Sequence, residues 1–158
     1  MFRIRGPLIA LFAILSSCAW EQKVVFSAGS EGGEVKILQP FPANGWGIRV
    51  RLNSKGHEKT LYELRGDVFL DFADVAWSKS NGTVAVFTCG TPPIRLAYSL
   101  IESSFIPFSK AEHVVAAHIR DEYHLAEQET SDNETFDWAC SSEGRTAFLK
   151  LHPSSAPR

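Results

Sequence analysis

Two residues in this 158-residue chain have the types and spacing for acid–base work or metal holding: His118 and Glu122. Four positions apart on a helix, an imidazole and a carboxylate project from one face. Such a pair can pass a proton or supply two ligands to an ion. It can equally be a structural hydrogen bond, because polar side chains set into an apolar face need partners. Asp121 and His124 stand close by in sequence. The two histidines four apart of a His-Glu-x-x-His zinc site are missing, so the pair alone specifies no metal and no cofactor. A second candidate is a binding surface of Trp46, Arg49 and Arg51. An aromatic ring beside two cations could hold a carboxylate or phosphate; the alternative is a solvated strand face. No residue is assigned as catalytic. There is no Gly-x-Ser-x-Gly elbow and no phosphate loop. Gly29-Ser30-Glu31-Gly32-Gly33 is glycine-rich, but Glu31 would repel phosphate, and a hairpin turn explains it.

The elements that must position these residues are mostly strands. Val35, Ile37 and Gln39 alternate with Lys36 and Leu38, and Trp46 to Leu52 places Ile48, Val50 and Leu52 opposite Arg49 and Arg51. That period of two is the mark of a half-buried strand. Lys55-Gly56 turns the chain, and Leu61–Leu64 and Val68–Phe72 read as further strands. Val75–Ser78, Asn81-Gly82 and Thr83–Cys89 form the strongest hairpin, since Asn-Gly tolerates the positive φ of a tight turn. Its second arm, Val84 to Phe87, is apolar on both faces, as in a central strand covered on both sides. Ile94 to Leu100 alternates again. Ser109-Lys110-Ala111-Glu112 fits a capping box and predicts one helix over about 110–126. Its apolar face carries Ala111, Val114, Val115, Ile119, Leu125 and Ala126, with Arg120, His113 and His124 opposite. Residues 127–134 read as an acidic loop, and Trp138 with Ala147–Leu151 as a last strand. The expected fold is α+β and β-rich: an antiparallel meander of six to eight short strands with one packed helix.

The first residues carry an address rather than a fold. Arg3 and Arg5 precede an apolar run, Pro7 to Leu15, followed by Leu15-Ser16-Ser17-Cys18. The run is shorter than the roughly 20 apolar residues a bilayer requires. This arrangement resembles the signal and lipobox of bacterial lipoproteins. The resemblance implies a signal peptide over 1–17, cleavage before Cys18, lipidation of Cys18 (palmitate among its acyl chains) and a short lipid-anchored tether over 18–22. The 141 residues left after removal of 1–17 suit one domain, and the strand pattern makes it a β-rich one over 23–152, with 153–158 as a disordered tail; the resemblance implies that it faces the periplasm. Ala19, rather than aspartate, after the cysteine implies sorting to the outer membrane. With Cys18 lipidated and the compartment oxidising, Cys89 and Cys140 are the expected disulfide, two buried thiols being the alternative. Loss of Arg3 and Arg5 would leave 14 basic against 18 acidic residues, a net charge of −4. That balance excludes the basic footprint of a nucleic-acid binder.

Residues 74–86, Asp74-Val75-Ala76-Trp77-Ser78-Lys79-Ser80-Asn81-Gly82-Thr83-Val84-Ala85-Val86, resemble the Trp-Ser-Pro-Asp-Gly hairpin of periplasmic Tol-type β-propellers. Lys79 replaces the proline, and Asp137–Gly144 reads as a degenerate second copy. A propeller needs at least four blades of about 40 residues, more chain than remains here. The resemblance implies an antiparallel meander and no function. The expectation is a membrane-anchored envelope lipoprotein acting as a non-enzymatic binding or structural module. It touches the membrane through its N-terminal lipid, has an envelope protein as its possible partner, and binds no nucleic acid. The alternative is a small envelope enzyme or metal-binding protein using His118 and Glu122.

Overall fold

The computed structural model describes residues 22–40, 47–80, 82–125 and 131–153. Alternating sequence produces two antiparallel four-stranded meanders. The first is built from β1 (Gln22–Ser30), β2 (Gly33–Pro40), β3 (Gly47–Ser54) and β4 (His57–Arg65); the second from β5 (Phe69–Ser78), β6 (Thr83–Thr91), β7 (Arg95–Ser99) and β8 (Ser104–Ile106). Both sheets run in chain order, so consecutive strands are antiparallel neighbours throughout. A 3-10 turn (Phe108–Lys110) then leads into α1 (Glu112–Glu122), α2 (Asp132–Ala139) and α3 (Ser142–Leu151). Among the described residues no helix is long and apolar enough to cross a membrane. Cys18 and Trp46 lie outside the described residues, as do most of the expected tether and tail. β1 begins at Gln22, the last residue of that tether.

The α+β, β-rich architecture is the expected one, and the period-2 segments are its strands. In β3, Ile48, Val50 and Leu52 are buried while Arg49 and Arg51 are half-buried. Thr83 to Cys89 of β6 are all buried, because the strand is covered on both faces. On one side Tyr98 of β7 accepts a 2.7 Å hydrogen bond from Lys59 Nζ of β4, so the first sheet packs there. On the other, Phe87 meets Phe136 of α2 with ring centroids 4.8 Å apart. The second sheet is thus the middle layer, between the first sheet and the helices, except at β1, whose Phe26 reaches Phe148 of α3. Gly82 closes the β5–β6 hairpin at φ +60°, a conformation that favours glycine.

Four details differ from the sequence reading. The expected strands Val68–Phe72 and Val75–Ser78 merge into one, β5, which begins at Phe69 and has a register shift between Leu70 and Phe72. Ser109 lies inside the 3-10 turn, so no side chain caps α1, which starts from Ala111 and stops at Glu122. The capping box forms instead at Ser131 and Glu134, where a loop was expected, and starts α2. Trp138 and Ala147–Leu151 are helical: the proposed last strand and the second hairpin copy over Asp137–Gly144 are α2, a tight turn and α3. Ser141 starts α3 by accepting from Gly144 N. A Cβ at Gly144 would overlap the Trp138 and Ala139 carbonyl oxygens, so the glycine lets α3 approach the end of α2. Phe148 is fully buried and stacks near Phe72, centroids 5.4 Å apart, which seats α3 on β5.

Cys89 near the end of β6 and Cys140 after α2 are at disulfide distance, with Cα atoms 5.3 Å apart. The bond joins the middle sheet to the helical layer.

Candidate functional site

Asp74, at the centre of β5, is 2% exposed in a strand whose neighbours Phe72, Ala73, Val75 and Ala76 are all buried and apolar. Alternation turns it toward the helices, along with Phe72 and Ala76. There α1 presents His118. His118 Nδ1 lies 3.0 Å from both Oδ1 and Oδ2 of Asp74; the ring N–H donates and the carboxylate accepts. One helical turn on, Glu122 Oε2 lies 3.8 Å from the same Nδ1, an ion-pair distance too long for a hydrogen bond. Among the described residues, these three form a group in which one ligand atom from each lies within 4.8 Å of the others.

The group is anchored deep and opens outward. Asp74 is 3% exposed by side chain, Glu122 35% and His118 40%. The Asp74 hydrogen bond raises the His118 pKa above its ordinary 6.5 against the cost of burial, and the charges of Asp74, Glu122 and Asp121 add to the rise. Burial pushes the Tyr123 hydroxyl up, reinforced by Glu122 and Asp74. His152, capping the C-terminus of α3, completes the surroundings. Its Nε2 lies 3.8 Å from Glu122 Oε1, is buried, and has no hydrogen-bond partner. The ring is fixed between Phe26 and Phe148, each 5.0 Å away by centroid.

His118 and Glu122 therefore stand 3.8 Å apart on one face of α1, and two residues that the sequence did not single out lie beside them. Asp74 had a signal: a lone charge inside an apolar strand demands a partner. His152 had none, since only the docking of α3 brings it near. Arg49 and Arg51 lie on the outer face of the first sheet. Arg49 makes a two-pronged contact with Glu63 at 2.9 and 3.2 Å, and Arg51 lies 2.7 Å from Glu58. Their charges are matched within the sheet, away from His118. Arg120, expected on the polar face of the helix, is instead buried, donating to Asp132 and Thr135 at 3.0 Å each. The carboxylate of Asp132 lies where α2 packs on α1, so the guanidinium points between the helices.

Two carboxylates and two imidazoles can share a proton or surround a cation. No protein-family model, no curated protein and no solved structure matches the chain.

Proposed function

We propose that this chain is an exported, lipid-anchored domain of a bacterial cell envelope that works as a binding or structural module and not through turnover. The observation that carries the reading is the division of its three cysteines. Cys89 and Cys140 sit at bonding distance, which suits an oxidising compartment, and Cys18 is left at the end of a short apolar run in a lipobox-like setting. Acylation at Cys18 supplies the membrane grip that a net acidic domain does not get from anionic headgroups. Ala19 favours the outer membrane, with the domain facing the periplasm and an envelope protein as partner. The test is Cys18→Ser expressed in a bacterial host with labelled palmitate. The wild type is expected to be labelled and to sediment with outer membranes; the variant should be unlabelled and soluble. A labelled variant, or an unlabelled soluble wild type, would refute the anchor.

A second reading, an envelope enzyme or metal-binding protein using His118 and Glu122, is favoured by one observation. Asp74 supplies a third group at the same point, and the pair stands open to solvent.

A further inference from the structure

We infer that Asp74, His118 and Glu122 form a Zn2+ site, with His152 holding the far oxygen of Glu122. The inference rests on the second reading of this site and is independent of the anchor. Zinc takes imidazole nitrogen and carboxylate oxygen at about 2.0–2.2 Å, so ligand atoms around a tetrahedral ion stand about 3.3–3.5 Å apart. Once His118 Nδ1 gives up to solvent the proton it donates to Asp74, its distances stand on either side of that spacing, 3.0 Å to Asp74 and 3.8 Å to Glu122 Oε2, with all three ligand atoms within 4.8 Å of one another. The gap to Glu122 is too long for a hydrogen bond and close to what an intervening ion needs. A second, separate observation points the same way. His152 Nε2 is a buried polar atom without a hydrogen bond, 3.8 Å from Glu122 Oε1, on a side chain 26% exposed. A Glu122 carboxylate drawn to a metal by Oε2 would be oriented by a hydrogen bond from His152 to Oε1, as outer partners orient metal ligands generally. Charge agrees, since the two carboxylates contribute −2 and a divalent cation cancels it. The three ligands come from two elements, β5 and α1, and the outer partner His152 from the end of α3, all already fixed by the core, so little ordering is required on binding. The exposed edges of His118 and Glu122 give the ion its entry.

The experiment uses the full chain purified in detergent, stripped with chelator, and titrated with ZnCl2 by calorimetry and by competition with a chromogenic chelator. The expected result is one Zn2+ per chain, with a melting temperature that rises as zinc saturates. His118→Gln and Glu122→Gln should each weaken binding at least about tenfold and abolish the thermal shift. His57→Gln, in the remote β3–β4 hairpin, should change neither. Asp74→Asn adds a third test only if it folds, and the exposed Glu122 variant decides without it. Binding unchanged by His118→Gln and Glu122→Gln would place the zinc elsewhere and overturn the assignment. Absence of binding overturns it too, and the metal-free stability of Glu122→Gln then separates two failures. Unchanged or raised stability keeps a functional pair without zinc, because functional sites hold groups at the expense of stability. Lowered stability makes the cluster structural and removes the second reading as well.

Discussion

Arg49 and Arg120 each meet a carboxylate at about 3 Å in opposite settings. Arg49 lies on the outer face of the first sheet, 25% exposed, and reaches across to Glu63 on the next strand. Arg120 lies under the helical layer, 9% exposed, and is shared between Asp132 and the fully buried Thr135. On the outer sheet, water can replace any partner that is lost. Between the helices the Arg120 guanidinium is cut off from water and is placed against both Asp132 and Thr135. The candidate site spans both settings: Asp74 is buried by the same helices that cover β6, while His118 and Glu122 reach solvent. The helical layer therefore both completes the core and makes specific polar chemistry possible, whereas the outer face of the first sheet pairs its arginines with Glu58 and Glu63 near solvent.

The largest expected effect comes from releasing that layer. Cys89 and Cys140 are 51 residues apart, and closing a loop of that length removes about 4 kcal/mol of unfolded-chain entropy at most. Replacing both with serine should lower the denaturant midpoint by a corresponding amount without changing the strands of the first sheet. An unchanged midpoint would mean that packing of Phe136 and Phe148 alone holds the helices, and the contrast between the layers would weaken.

A smaller effect separates the two arginines directly. Arg120→Ala removes the buried donor that Thr135 has at 3.0 Å, a cost of about 1 kcal/mol, while Asp132, 35% exposed, keeps His113. Arg49→Ala exposes Glu63 to water and should leave the unfolding midpoint unmoved. Equal losses in the two variants would break the comparison, since burial would then not decide the value of a pair.

The same division explains what the sequence could reveal. β3 and β6 are legible because each states its environment in its own residues: alternation for one covered face, a continuous apolar run for two. The hairpin at Gly82 is legible from turn chemistry. The short helices are not. Ser131-Asp132-Asn133-Glu134 is as good a capping box as Ser109-Lys110-Ala111-Glu112, and only the first forms. α2 buries only Thr135, Phe136 and Ala139, and α3 only Gly144 and Phe148, too few positions to establish a 3.6 period. Their state is decided by docking on β5 and β6, over long sequence separations. The site divides likewise. His118 and Glu122 are local to one helix and readable from spacing; Asp74 is 44 residues from His118, and its role exists only once β5 lies beneath α1.

The smallest expected effect is a difference in titration. Asp132 and Glu63 both have lowered pKa values. For Asp132, burial works against ionisation, and hydrogen bonds from Arg120 and His113 outweigh it. For Glu63, the hydrogen bond from Arg49 leads. A carboxyl whose folded pKa is lowered contributes stability above its unfolded value, and that stability is lost as pH falls through the folded one. Both contributions should therefore fade in acid, below the ordinary values of 3.8 for Asp132 and 4.5 for Glu63. Salt should tell them apart. At 1 M ionic strength the screening length is about 3 Å, and an exposed arginine can leave its partner for solvent. Arg120 cannot, because burial and Thr135 hold it in place. Carboxyl carbon resonances followed by NMR at low and high salt should show Glu63 moving back toward 4.5 while Asp132 stays depressed. Equal movement of both would show that the gap between α1 and α2 is as wet as the outer face of the first sheet. A wet gap would leave Arg120 no more constrained than Arg49, because its partners could be exchanged for water there too.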